Sequence, residues 1–445
     1  MIGTSGTLTR PTLQSHLLDR LVDARRRTDE LFAIVKRESL YERPIPERHR
    51  IVFYIGHLEA FDWNLLSERS FGLTKFQPGL DRLFAFGIDP VGGGLPDDRP
   101  SDWPSLEEVH GYASRIREIL DDKIANASDD TVRGEFPLSQ LLNVAIEHRL
   151  MHAETLAYML HQLPFAHKIG NPELTPKNNS ERISHRMIEI PAGRATLGLR
   201  RGDEQFGWDN EYELSTVDVP GFSIDKYEVT NGQYLEFMQA GGYESRWLWT
   251  EDDWKWRASH QISHPVFWNK NTEGWHYRGM FEDYLLPLNA PVYVSMAEAR
   301  AYASWVGKAL PTEAQWHRAA YANKEGGESD YPWGDSTPKP EMGNFDFASW
   351  GPKAVNAFPD GDSALGVSDL LGNGWEWTAT EFAPLPGFKP FPFYRGYSAD
   401  FFDGKHFVIK GGSPRTAACM LRRSFRNWFQ PHYQYVYAGF RCVQR

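Results

Sequence analysis

The segment 147–155, EHRLMHAET, places His148 and His152 four residues apart in a stretch of helical periodicity. Four residues are about one helical turn, so both imidazoles share a face. Leu141, Ala145, His148, His152, Thr155 and Met159 are spaced alternately by four and three, the seam of a packed helix. Both histidines are therefore expected to point inward. A lone inward histidine is ordinarily a hydrogen-bonded core residue. Two on one inward face each need partners for both ring nitrogens inside an apolar bundle, and a metal would satisfy one nitrogen of each. Such a metal requires at least a third ligand, and the chain offers His57.

The first third of the chain reads as four helices. Leu17, Leu21, Ala24, Leu31 and Val35 mark the apolar stripe of the first, and IVFYIGHLEAFDWNLLSER forms the second with His57 near its start. A third is expected over about 105–126, with Leu106, Val109, Ala113, Ile116 and Leu120 inward. The fourth, over about 137–163, carries the histidine pair. Metal sites in helix bundles are built from inward side chains of facing helices, so His57 is expected to meet His148 and His152. Between the second and third helices, residues 84–105 hold three consecutive glycines, four prolines and four aspartates. That composition predicts a long irregular loop, of the kind that often carries function.

The polar stretch 166–185 is expected to link a bundle over 1–165 to a second domain over 186–445. In the second domain, short apolar pieces alternate with Gly, Pro and Asn turns. Only 295–306 and 312–322 read as helices, the first opened by a Ser295/Glu298 capping box. Fourteen of the chain's 16 tryptophans lie there. The fold class expected is α+β, a helical bundle followed by an irregular, loop-rich domain. A net charge of −11 with no long basic run argues against a nucleic-acid partner. No apolar run reaches the length of a membrane span, and the N-terminus has no apolar signal segment, so a cytoplasmic protein is expected. Cys419 and Cys442 allow at most one disulfide.

GKALPTEAQWHRAAY (307–321), YPWGD (331–335), LLGNGWEWT (370–378), IKGGS (409–413) and GFRC (439–442) resemble the formylglycine-generating-enzyme, or sulfatase-modifying-factor, fold, a variant of the C-type lectin fold. With a DinB-type four-helix bundle in front, and a lone histidine followed by H-x3-H-x-E, the whole chain resembles the EgtB-like sulfoxide synthases of ergothioneine biosynthesis. The resemblance implies an Fe(II) centre held by His57, His148 and His152. It also implies O2 as co-substrate, and formation of a bond from sulfur to imidazole C2 of hercynine (Nα-trimethylhistidine). Imidazole suits ferrous iron, and three protein ligands leave positions open. Glu59 or Glu154 is a candidate to orient a histidine from behind. Asn427 and Trp428 match a pair that holds hercynine, and a Trp face suits a quaternary ammonium. Tyr394 and Tyr397 match two tyrosines of which one acts as proton donor. Trp333, Trp375 and Trp377 are expected in the core.

Three departures from the family pattern stand out, two of them at the donor. Where the familiar enzymes carry arginines for the carboxylates of γ-glutamylcysteine, this chain has FGIDPVGGGLPDD with a single Arg99. Phe429 stands beside Trp428, and Met151 replaces a glutamine directed at hercynine's imidazole. A rebuilt donor site fits the selenoneine synthase (SenA) branch, which takes a selenosugar. Asp97, Asp98, Arg99, Asp102 and Trp103 are then the expected donor loop, through bonds to sugar hydroxyls and an aromatic face. The alternatives are a hercynine sulfoxide synthase using cysteine or γ-glutamylcysteine, a DinB-type thiol transferase that ignores the tyrosines, and a non-catalytic lectin-like binding module. A formylglycine generator would need two cysteines after GGS, and 414–422 holds only Cys419.

Overall fold

The computed structural model describes residues 13–85, 97–128, 136–170, 183–202 and 205–444. The glycine run at 92–94 and most of the expected linker lie outside them. The chain divides into two compact units, Met1–Ile169 and Gly170–Arg445.

The first unit is built on four long helices. These are α1 (Leu13–Ala33), α2 (Ile51–Phe71), α4 (Leu106–Ala125) and α5 (Leu138–Gln162), with a short α3 (Pro78–Leu83) that periodicity did not suggest. Helix α1 packs on α5 and α4, and α2 on α4, α5 and α3. Local chemistry sets the ends. Ser105 caps α4, accepting from the Glu108 N–H while the Glu108 carboxylate takes the Ser105 N–H at 2.9 Å. Gly72 ends α2 in the left-handed region at φ 60°, which satisfies the Ser67 and Glu68 carbonyls. The stripes read from the sequence are buried, and each fully buried Leu, Ile or Val contributes about 1.5–3 kcal/mol. Helix α5 departs from a one-sided seam. Glu147, Arg149 and Glu154 are buried as well as His148 and His152, while Thr155 is half-buried. After α5, residues 165–169 turn back onto the chain beyond α1. The Lys36 N–H donates to the His167 carbonyl and the Ile169 N–H to the Ile34 carbonyl.

The second unit is irregular, as its composition predicts. Its first half runs β1 (Met187–Ile190), β2 (Gly193–Leu197), β3 (Ser215–Val219), β4 (Phe222–Asp225), α6 (Asn231–Gln239) and α7 (Glu251–Ser259). There follow β5 (Trp268–Asn271), β6 (Gly274–Arg278), β7 (Asp283–Leu285), α8 (Met296–Trp305) and α9 (Glu313–Tyr321). The last part holds β8 (Gly374–Glu381), β9 (Phe407–Gly412), β10 (Asn427–Phe429), β11 (Ala438–Gly439) and β12 (Val443–Gln444). Helices α6 and α7 were not expected. Both have a threonine cap legible in hindsight, Thr230 with Gln233 and Thr250 with Asp253.

The main sheet has the order β10-β9-β8-β11, with β11 parallel to β8 and the other pairs antiparallel. Its centre is a buried ion pair. Arg441 of GFRC meets the Glu376 carboxylate of GWEW at 2.5 and 2.8 Å and also donates to the Lys226 and Ser368 carbonyls. A buried charge needs this degree of satisfaction, so the pair fixes the two motifs to each other. Trp375 and Trp377 are buried, and Trp333 is half-buried against Tyr331. Cys419 and Cys442 are both free thiols.

Candidate metal centre

His57 enters from α2, and His148 and His152 from successive turns of α5. The Nε2 atoms of His57 and His152 are 3.2 Å apart and those of His152 and His148 are 3.1 Å apart. All three lie within 4.8 Å of one another, the one such group among the described residues. Bonds of about 2.1 Å from one metal would put ligand nitrogens about 3.0 Å apart at right angles and about 3.4 Å apart in a tetrahedron. The observed spacings fit either.

The tautomer fits as well. His57 Nδ1–H donates to the Phe84 carbonyl at 2.7 Å, which turns the Nε2 lone pair toward the other two rings. Burial pushes His57 down to about 4 and holds His148 and His152 well below the ordinary histidine value, and neighbouring imidazoles and Arg149 add to the effect. All three rings are therefore neutral near pH 7, the form that ligates. Aromatic rings fix their planes. Phe61 stacks on His148 at 3.4 Å and Phe53 on His57 at 4.8 Å. Phe84 can approach because α2 carries Gly56 there. A Cβ on that residue would stand 2.5 Å from atoms of the Phe84 ring.

At His57 a backbone carbonyl, rather than a carboxylate, takes the orienting role. Glu59 is instead gripped by arginines. Arg117 reaches it at 2.7 and 2.9 Å and Arg149 at 3.0 Å. Arg149 also bonds Asp62 at 2.8 Å, and all of Glu59, Asp62 and Arg149 are buried. Despite burial, Arg149, Arg117 and Arg25 hold Glu59 down at about 2. Glu154 is buried on α5.

Of the expected donor loop, Asp97, Arg99 and Asp102 are exposed, and Asp102 accepts the Arg99 N–H at 2.7 Å. Asp98 is differently placed. Arg43 contacts one of its oxygens, and Arg50 Nε and Trp103 Nε1 donate to the other at 2.9 and 2.7 Å. Arg43 and Arg50 lie in ERPIPERHR (42–50), a stretch between α1 and α2 that periodicity and motifs did not single out. Three arginines in that short turn were the available signal. Met151 is half-buried beside His152, its carbonyl accepting from Thr155 Oγ1 at 3.1 Å.

The second unit brings the remaining candidates together. Tyr394 and Tyr397 are half-buried with ring centres 5.6 Å apart, and Tyr397 is edge-on to Trp428 at 5.5 Å. One face of Trp428 stacks on Phe382 at 4.0 Å, so a cation–π contact must use the other face. The Asn427 side-chain oxygen accepts the Trp428 N–H at 2.9 Å, and Phe429 stacks on Tyr433 at 5.1 Å. The turn 208–211, missed from sequence, ties this cluster. Trp208 stacks on Tyr397 at 4.0 Å, Asp209 accepts from Ser398 Oγ at 2.6 Å, and Glu211 accepts from Arg422 and Ser424. The tyrosine loop and the segment leading into the strand that bears Trp428 are thus tied to one turn through two buried carboxylates.

No helix among the described residues is long and apolar enough to cross a membrane. Residues 172–445 match the sulfatase-modifying factor enzyme 1-like domain and residues 20–156 the DinB superfamily. The chain is 31% identical to the hercynine oxygenase of Mycolicibacterium thermoresistibile, over 97% of this chain and 95% of that one. It is 35% identical to the Mycobacterium tuberculosis hercynine oxygenase over 76% and 78%, and 31% identical to that of Mycolicibacterium smegmatis over 96% and 98%. With both of its units matched and full-length relatives at this identity, the chain belongs to the EgtB-like hercynine oxygenase family.

Proposed function

We propose that this protein is a non-heme iron oxidoreductase that uses O2 to form a bond from sulfur or selenium to imidazole C2 of hercynine. The observation that carries the proposal is the convergence of three neutral, buried imidazoles through their Nε2 atoms, in a chain of this family. Ferrous iron, when bound, would supply O2 activation and an open position for the chalcogen. His57, His148 and His152 would hold it, with the Phe84 carbonyl orienting His57. Trp428 offers the face opposite Phe382 to the trimethylammonium group, and Asn427 has an amide nitrogen for a polar partner. Tyr394 or Tyr397 supplies a proton. Met151 gives an apolar surface where a hydrogen-bonding amide would otherwise stand.

For the donor, we propose a selenosugar. Arg43 and Arg50 are engaged with Asp98, and a dianionic donor that used them would have to displace that carboxylate. The exposed Asp97, Arg99 and Asp102 suit hydroxyl groups. The competing donor is cysteine or γ-glutamylcysteine, in keeping with relatives named for ergothioneine biosynthesis. A binding module would leave the three histidines without a task.

The test is anaerobic reconstitution with Fe(II), then O2 and hercynine with selenosugar, cysteine and γ-glutamylcysteine in parallel, read by mass spectrometry. A hercynine adduct from the selenosugar alone supports the finer reading. An adduct from a thiol donor makes the protein a sulfoxide synthase. No adduct and no stoichiometric iron refutes the enzyme.

A further inference from the structure

Asp98 stands in the loop expected to meet the donor, yet its own bonds run to the protein. Arg43 contacts Oδ1, and Arg50 Nε and Trp103 Nε1 donate to Oδ2 at 2.9 and 2.7 Å. Arg50 Nη2 also donates to the Asp98 carbonyl at 2.7 Å, and its Nη1 to the Tyr41 carbonyl at 2.8 Å. Tyr41 in turn gives its hydroxyl proton to the Pro104 carbonyl at 2.9 Å. The side chains of Arg43, Arg50 and Asp98 are 14–22% exposed, which strengthens these charge-assisted bonds over those of a surface pair.

Residues 98–104 are thereby strapped to the segment that opens α2, and the strap reaches the metal site. Trp103 stacks with Phe84 at 6.2 Å and meets Phe53 edge-on at 5.8 Å. Phe53 stacks on His57, and the Phe84 carbonyl holds His57 Nδ1. Direct contacts therefore run from Asp98 through Trp103 to both groups that orient His57.

We infer that Asp98 is a positioning residue, a latch that holds Trp103 as one wall of the three-histidine site, rather than a ligand of the donor. The inference deepens the proposed function and rests on it for its catalytic meaning. The wall shields His57 from water and keeps its ring aligned with His148 and His152. Small displacements of such supporting groups typically cost a metal site ten- to a hundredfold in affinity or activity, roughly.

The experiment uses the full chain and the variants Asp98→Asn, Arg50→Gln and the double substitution, with Trp103→Phe as a gentler change that keeps a ring but removes the indole donor. Two measurements are independent of turnover. One is hydrogen exchange of the peptide covering 98–104, and the other is Co(II) titration followed by the visible spectrum of the bound metal. Asp98→Asn is expected to raise exchange of that peptide at least about tenfold and to alter the Co(II) bands at unchanged stoichiometry. Arg50→Gln should do the same, and the double variant should be no worse than either single. Trp103→Phe should fall between. If Asp98→Asn exchanges and binds Co(II) as the native protein does, while only the KM for the donor rises, Asp98 is a donor ligand and the latch is wrong. If the native protein couples no donor to hercynine, the enzyme reading fails, but the exchange and cobalt results still decide the latch.

Discussion

Replacing Arg149 by methionine should destabilise the helical unit by about 3 kcal/mol at neutral pH, with a pH dependence that identifies the cause. Arg149 is 1% exposed and bonds Glu59 at 3.0 Å and Asp62 at 2.8 Å. Breaking a buried ion pair from one side costs about 3–5 kcal/mol, because the remaining charge is left without compensation. Glu59 keeps Arg117 in the variant, so the loss falls on Asp62, whose other oxygen already has no hydrogen-bond partner. That places the expected cost at the lower end. The sign with pH follows from the two carboxyls. In the native protein Glu59 is held at about 2, below its ordinary value of 4.5, so its contribution is present above pH 4.5 and lost as pH falls toward 2. Burial already pushes Asp62 up, and without Arg149 it rises further. A raised carboxyl stabilises the fold below its ordinary value and ceases to do so as pH rises. The penalty of the substitution should therefore be full at pH 7 and smaller at pH 5. Adding Asp62→Asn should recover more than half of it. Two compact units need not unfold together, so the assay is hydrogen exchange of α2 and α5 peptides across a urea series on metal-free protein. A cost under about 1 kcal/mol, or one equal at pH 5 and pH 7, would refute the account of a compensated charge.

Gly56→Ala should push the Phe84 ring, and with it the carbonyl that holds His57, at a cost of about 1–3 kcal/mol in stability and roughly ten- to a hundredfold in Co(II) affinity. Titration with unchanged affinity would show that Phe84 does not orient the ligand. Tyr394→Phe and Tyr397→Phe should both keep iron stoichiometry, and the one that removes the proton donor should lower kcat by about 10²–10⁴-fold. Two variants each within about tenfold of native would move the donor elsewhere. Lys410 is buried, with Nζ donating to the Phe425 carbonyl at 2.5 Å, and burial pushes it down from 10.5 to about 8. The folded protein therefore releases this proton before the unfolded chain does, and stability should gain about 3 kcal/mol from this group between pH 8 and 10.5. Lys410→Met should lack that rise, and parallel stability curves for the two proteins over this range would contradict it.

Local chemistry made much of the helical unit legible. The apolar stripes of α1, α4 and α5 repeat with the helical period, and the Ser105 cap places the start of α4. The spacing of His148 and His152 is likewise local, because one turn of helix carries both. Helices α6 and α7 escaped because they bury little, Asn231, Tyr234 and Phe237 in α6 and Asp253 alone in α7, although Thr230 and Thr250 mark their starts. The short segments of the second unit were legible only as motifs, whose Glu376–Arg441 pair spans 65 positions and shows no period.

What the sequence determined by itself is therefore the long amphipathic helices of the first unit, the Ser105 cap and the inward face that bears two histidines. Tertiary structure alone decided that His57 arrives 3.2 Å from His152 and that a backbone carbonyl, rather than Glu59 or Glu154, orients it. It also decided that Asp98 is bonded within the protein, to Arg43 and Arg50. The physical reason is common to all three. Periodicity and capping are properties of neighbours in the chain, whereas the partner of a buried charge or ring nitrogen is whichever group packing brings within about 3 Å once water is excluded.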